Sequence, residues 1–219
     1  MGKIVAIDGP AGAGKSTVAK MVAERLGFLH LDSGATYRAV GWATVHYGID
    51  PGDKLAVEEL AGKVRVELKD GRVWVDGMDV TSAIRTQEMS RLSSMVSAYP
   101  GVRLAMVHIQ RDIGLGAEPG AVAEGRDMGT VVFPDTPYKV YLDATIEERA
   151  RRRLAQLREQ RHPTPPLEQL VEEIRTRDHN DSTRQHSPLS VAEGSFVLDT
   201  TGLSIEQVVD KIVQFVRAT

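Results

Sequence analysis

Nine residues near the start constrain this chain more than any others. Gly9, Gly14, Lys15 and Ser16 fit the spacing G-x-x-x-x-G-K-[ST], after the apolar run Ile4, Val5, Ala6, Ile7 and before residues 18–26, whose pattern predicts a helix. Strand, glycine-rich turn, helix is the context in which that spacing carries chemistry. Glycines let successive N–H groups turn inward onto phosphate oxygens, and the helix that follows points its positive end at the same anion. Lys15 adds a full charge at the β/γ phosphates, and the Ser16 hydroxyl offers a coordination place to Mg²⁺. We therefore read Gly9, Pro10, Ala11, Gly12, Ala13, Gly14, Lys15, Ser16 and Thr17 as a nucleotide loop rather than a Gly/Ala-rich turn that happens to precede a helix. The loop implies nucleotide binding. It does not by itself imply a reaction.

A chain of 219 residues is long enough for one domain with a sizeable core. It has no cysteine, so disulfides and thiolate metal sites are excluded and a reducing compartment fits. No apolar run approaches the ~20 residues of a membrane span, and no basic segment precedes the first strand, so neither a membrane anchor nor a signal peptide is expected. A formal charge of −3 argues against a general polyanion binder. A cytoplasmic protein acting on small molecules, without nucleic acid or membrane, is the expectation.

The periodicity then supplies the frame. Residues 28–31 predict a second strand, which makes a right-handed βαβ unit with the first strand and helix. Residues 35–47 predict a helix capped by Ser33 or Asp32, and residues 54–62 a short one. Strict alternation over 64–69 and 72–76 around Asp70 and Gly71 predicts a β-hairpin, with a further turn and edge at 77–81. A hairpin cannot join a parallel sheet by that connection, so residues from about 62 to 82 are expected to form a small insert. Helices are expected at 82–97 and, after a break at Pro100, at 102–114. Strands follow at 120–124, 138–143 and 196–199, with a closing amphipathic helix at 204–216. The helix carrying Arg149 to Arg153 is interrupted by Pro163, Pro165 and Pro166, as a mobile flap needs, and 167–183 is helical again. The fold class is α/β: a five-stranded parallel sheet with helices on both faces, an antiparallel hairpin insert and a helical lid. Ligands of such sheets bind at the carboxyl ends of the strands.

Charged residues gather at those ends: Asp8, Asp32, Glu124, Arg126, Asp127 and Asp143. Either Glu124 or Asp8 is placed to hold a Mg²⁺-bound water beside Ser16. Arg149, Arg152 and Arg153 lie at i, i+3 and i+4 and share a helix face, while Arg151 points away. Beside the flap they are expected to cover a transferring phosphoryl group. Arg177, Asp181 and Arg184 form another stripe, at i, i+4 and i+7. Spacing alone leaves open whether it is a surface ion pair or a strip that hydrogen-bonds a ribose and base. Arg38 is the candidate for a second phosphate, whereas its neighbour Tyr37 reads either as core or as part of that site. The histidines show no metal-ligand spacing.

These blocks together resemble bacterial-type cytidylate kinase, a P-loop nucleoside monophosphate kinase. The resemblance runs nearly end to end: the loop at 9–17, Leu31-Asp-Ser-Gly-Ala-Thr-Tyr-Arg38, Ile84-Arg-Thr-Gln-Glu88, Glu124-Gly-Arg-Asp-Met-Gly-Thr130, Arg177-Asp178, Asp181-Ser-Thr-Arg184 and Leu198-Asp-Thr-Thr201. It implies transfer of the γ-phosphoryl group of ATP to CMP or dCMP with Mg²⁺; a monomer is expected. Carried over residue by residue, Arg38 and Arg126 resemble the residues that hold the acceptor phosphate. Ser33, Arg103, Asp127 and Arg184 resemble those around cytosine, and Ser94, Arg177 and Asp181 those on the sugar. Lys15, Arg126, Arg149 and Arg153 are the expected catalytic set. A single kinase domain over 1–219 is implied, with an acceptor-binding region at about 33–118 and a lid at about 149–168. The alternatives are a kinase for UMP or dTMP, and a non-catalytic nucleotide-switched regulator, although the Asn-Lys-x-Asp motif of a guanine switch is absent.

Overall fold

The computed structural model describes residues 2–69, 71–159 and 164–219. Strand β1 (Lys3–Asp8) lies at the middle of a five-stranded sheet that also contains β2 (Leu29–Asp32), β6 (Gly120–Gly125), β7 (Tyr138–Asp143) and β8 (Phe196–Asp199). The order is β2-β6-β1-β7-β8 and every pairing is parallel. The chain leaves β1 toward β2 on one side and later reaches β7 on the other. A crevice therefore opens at the carboxyl ends around β1.

Both faces of this sheet are buried, which explains its nearly unbroken apolar runs. Val5, Ile7, Val122, Val140 and Leu142 pack on one face against helix α1 (Lys15–Leu26) and the last helix, α8 (Ile205–Ala218). The intervening residues Ile4, Ala6, Ala121 and Ala123 pack on the other face with Leu31, Val107, Met128 and Phe133. Helix α1 stops at Gly27, whose left-handed backbone (φ 67°) lets its N–H close on Ala23 and Glu24.

Between β2 and β6 the chain builds a second core. It comes from α2 (Ser33–His46), α3 (Lys54–Lys63), α4 (Gln87–Val96), α5 (Pro100–Gly116) and a separate antiparallel sheet of β3 (Val66–Lys69), β4 (Arg72–Val75) and β5 (Met78–Asp79). Val40, Val57, Val73, Val75, Ile84, Val96 and Met106 fill it. The insert is thus a sheet of its own, as expected. Its turn falls between Lys69 and Arg72, which pair directly, although Asp70 lies outside the described residues.

Two local expectations need correcting, and one left open is resolved. Residues 82–97 are not one helix: a 3₁₀ turn at Ala83–Arg85 is separated from α4 by Thr86, whose extended backbone and side chain cap α4 at Met89 N. Pro100 does not break a helix but starts α5, because the missing N–H costs nothing in a first turn. Asp32, not Ser33, caps α2, accepting from Ala35 N, which frees Ser33 to donate to the Glu124 carbonyl at 2.6 Å. The segment after β7 forms the helix pair α6 (Ile146–Glu159) and α7 (Leu167–Thr183), packed through Ala150, Leu157, Leu170 and Ile174. The flap expected at 161–166 lies partly outside the described residues.

Candidate active site

The nucleotide loop leaves β1 at Asp8 and turns through Gly9, Gly12 and Gly14, all at positive φ. At Gly12 (φ 78°) the requirement is double, since a Cβ there would sit 3.0 Å from the Arg149 Cβ and 3.1 Å from its carbonyl. Lys15 is buried and curls back to donate to the Pro10 carbonyl at 2.7 Å. Desolvation, and then the like charge of Arg126, push its ammonium well below the ordinary lysine range.

Of the two carboxylates left open beside Ser16, the structure chooses Glu124. Ser16 Oγ donates to Glu124 Oε2 at 2.7 Å, and His30 Nε2 stands 3.1 Å from Oε1. Asp8 is engaged elsewhere, accepting from Met128 N at 2.9 Å and Gly129 N at 2.8 Å, and burial raises it to about 6. Those two N–H groups follow Arg126 and Asp127, so Asp8 ties the root of the donor loop to the loop bearing acceptor candidates. Among the described residues no group of three or more His, Cys, Asp or Glu could hold a metal. A hydroxyl beside one carboxylate is instead a hard, sparse oxygen set, suited to a cation that keeps most of its water and shares substrate phosphates.

Across the crevice the side chains pair with one another. Arg38 donates to Asp32 Oδ2 at 2.8 Å and Arg85 reaches the same oxygen at 3.1 Å. Burial works against the Asp32 charge, but these two guanidinium groups prevail and hold its carboxyl below the usual range. Arg103 forms a buried ion pair with Asp127 and lies 5.4 Å from the Tyr37 ring centre. Asp181 accepts from Arg126 Nε at 2.8 Å and has Arg184 Nη1 at 3.6 Å, while Arg184 Nε donates to the Ser187 carbonyl at 2.7 Å. Burial opposes the Asp181 charge too, and Arg126 outweighs it, so this carboxyl is also lowered. Arg177 is exposed on α7; desolvation by its surroundings, then the like charge of Arg126, bring it down to about 10, still a cation at neutral pH.

Four buried polar atoms in this cluster lack a hydrogen-bond partner among the described residues: Tyr37 OH, Arg38 Nε, Arg103 Nε and Arg184 Nη2. Buried donors left unpaired are costly. Their concentration at one place marks a surface shaped for a polar ligand. Desolvation raises Tyr37 to about 12, so its hydroxyl stays protonated and able to donate.

The arginine face of α6 behaves differently from its helical arithmetic. Arg149 is buried, donating from Nε to the Ala144 carbonyl at 3.0 Å and from Nη1 to the Ala11 carbonyl at 2.8 Å, and pairing with Asp178. Arg152 is held by Glu148, the Thr200 hydroxyl and the Thr200 carbonyl. The expected trio covering a phosphoryl group is therefore reduced. Two of its members are committed to backbone and protein partners, and Arg153, donating to Gln156, keeps the freer guanidinium. Spacing says which residues share a face. It does not say what that face packs on. Ser94 is exposed on α4, donates to the Ser90 carbonyl and is not joined to the ion-pair network.

Sequence reasoning gave no role to His30, Arg85 or Asp178, although the last two lie in blocks that carry the resemblance. Asp178 carried a further signal: it falls at i+4 from Ile174 and i+8 from Leu170, so it continues the apolar stripe that meets α6.

Comparison with known proteins places these observations. The family model described as cytidylate kinase matches residues 5–218. A cytidylate kinase from Solibacter usitatus is 48% identical over 217 residues, covering 98% of this chain and 92% of the relative. A second, from Caldicellulosiruptor bescii, is 44% identical over 214 residues, 96% of this chain and 93% of its own. A bifunctional pantoate ligase/cytidylate kinase from a Nostoc species is 48% identical, but this chain spans only 41% of its length. Among solved structures, an uncharacterized protein from Eubacterium ventriosum superposes with a TM-score of 0.53 at 12% identity, over 99% of both chains, which is a likeness of fold alone.

Proposed function

The chain belongs to the cytidylate kinase family, and from that premise we propose that it transfers the γ-phosphoryl group of ATP to CMP or dCMP, yielding ADP and the cytidine diphosphate. The observation that carries this reading is that the donor loop meets the segment bearing Arg126: Ser16 Oγ donates to Glu124 at 2.7 Å, two residues before it, and Asp8 accepts from Met128 N and Gly129 N just after it. A donor lysine and an acceptor arginine at one focus are what two phosphate-bearing ligands need if their phosphates are to meet.

On this reading the N–H groups of residues 12–17 and Lys15 hold the ATP phosphates, and Arg38 and Arg126 orient the CMP phosphate. Acceptor binding exchanges partners: guanidinium groups now held by Asp32 and Asp181 turn toward phosphate, and the unpaired atoms of Tyr37, Arg103 and Arg184 gain partners from sugar and base. Cytosine presents an amino donor beside ring-nitrogen and carbonyl acceptors, a pattern that Asp127 and Ser33 on one side, Arg103 and Arg184 on the other, can meet. Uracil reverses part of that pattern and leaves buried groups unpaired, which is the basis of selectivity. The CMP phosphate is already ionised at neutral pH, so its oxygen attacks in line without a strong general base. Ser16 and Glu124 are the residues to hold Mg²⁺, which when bound neutralises charge on the β/γ oxygens. The remaining assignments are a monomer in the cytoplasm, an acceptor-binding region over about 33–118 and a lid over about 149–168.

A coupled assay for ADP release, run with CMP, dCMP, UMP, dTMP, AMP and GMP, tests this. CMP and dCMP are expected to support turnover at least tenfold faster than the others. Equal rates with UMP would remove the cytosine assignment. ATP binding without ADP release on any acceptor would favour a nucleotide-switched regulator.

A further inference from the structure

Asp178 is used by nothing in the scheme above, yet it joins the helix of the acceptor strip to the nucleotide loop. It sits on α7, one residue from Arg177 and three from Asp181, both on the acceptor strip. Along its other neighbourhood it ends the seam of Leu170 and Ile174 against α6. There its two carboxylate oxygens do different things. Oδ1 accepts from Ala11 N, the third residue of the nucleotide loop, at 3.1 Å, and Oδ2 pairs with Arg149. Arg149 in turn donates to the Ala11 carbonyl at 2.8 Å. One loop residue is thus gripped at its N–H by Asp178 and at its C=O by the partner of Asp178. Gly12, the next residue, lies against Arg149 so closely that a Cβ there would come within 3.0 Å of the Arg149 Cβ.

Any small rotation of α7 that follows capture of an acceptor by Arg177, Asp181 and Arg184 must therefore be felt at Ala11. Resting on the nucleotide kinase reading above, we infer that Asp178 is a positioning residue that couples acceptor occupancy on α7 to the geometry of the donor loop. It does not touch the reacting atoms. Its role is a coupling free energy between two ligands, which must be reciprocal.

The test is a thermodynamic cycle, measured by calorimetry on the whole chain with CMP and β,γ-methylene-ATP, each titrated alone and in the presence of the other. In the unchanged protein, saturating CMP is expected to tighten the ATP analogue by about fivefold or more, and the analogue to tighten CMP by the same factor. Asp178→Asn keeps the side-chain shape but weakens the hold on Arg149. It is expected to bind each nucleotide alone within about threefold of the unchanged protein while the mutual factor collapses toward one. A merely structural role would lower both single affinities or the melting temperature and leave the factor intact. Retention of the full factor in a folded Asp178→Asn protein, or independent binding in the unchanged one, overturns the inference. Should Asp178→Asn not fold, Asp178→Glu carries the same test, since one extra methylene keeps the charge but displaces both oxygens from Ala11 N and Arg149. Failure of the unchanged protein to bind CMP at all would sink the cytidylate reading itself, and this inference with it. That outcome is distinct from two nucleotides binding independently.

Discussion

The donor and acceptor halves of this site are built on opposite principles. The donor half is mostly backbone: a loop whose N–H groups are aimed by three glycines at positive φ, with a lysine satisfied by the Pro10 carbonyl. It is assembled before any ligand arrives, and side-chain identity matters at few positions. The acceptor half is mostly side chain, a set of arginines neutralised by Asp32, Asp127 and Asp181. On the proposed reading it recognises by exchanging partners rather than by filling a vacant cradle. A preformed backbone cradle suits a ligand part common to many molecules, such as a polyphosphate. An exchange of buried ion pairs suits discrimination between similar ones, because the wrong ligand leaves charges unmet.

Three perturbations probe that contrast. The largest effect is expected where the halves meet. Lys15→Ala and Arg126→Ala should each lower turnover on the order of 10²–10³-fold, with melting temperatures little changed; near-normal turnover by either folded variant would break the picture of a shared focus. Next is Asp181→Ala, which leaves Arg126 and Arg184 without their carboxylate. Acceptor affinity should fall roughly 10- to 100-fold while ATP affinity stays within about threefold. Equal losses for both nucleotides would show that the halves are not separable in this way.

The smallest effect lies in pH. Lys15 is depressed in the free protein, and phosphate oxygens beside it raise it again. Its bound-state pKa is therefore the higher one. Donor affinity is full below the free-state value and declines as pH rises through it, with proton uptake on binding over that window. The acceptor half relies on guanidinium groups, of which even Arg177, at about 10, stays charged to well above neutrality. Acceptor affinity should accordingly hold steady across the window in which donor affinity falls. Calorimetry in buffers of different ionisation enthalpy reads both, and a parallel decline would blunt the comparison.

Much of this frame was legible in the sequence because it follows from local rules. Alternation over 64–76 names a hairpin wherever it lands, and strand–loop–helix at 3–26 names a parallel sheet edge to edge with its ligand. The Ser16–Glu124 contact was half legible, since two carboxylates competed for it and only the parallel register could decide. What escaped were partnerships between distant segments. Arg149 looked like a free cation because its helix is rich in charge, yet 138 residues separate it from the carbonyl it holds. His30, a lone histidine in a strand, offered no pattern at all until β2 was laid beside β6.

That register has a genetic consequence. Glu124 lies opposite Ile7 in β1 and Asp32 in β2, and side chains alternate between the faces along each strand. Gain or loss of a single codon within β6 would turn Glu124 away from Ser16 and carry Gly125 and Arg126 out of place together. Strands β3 and β4 belong to a sheet and core of their own. Lineages descending from such a chain should therefore vary freely in length at the hairpin and hold β6 to an invariant count.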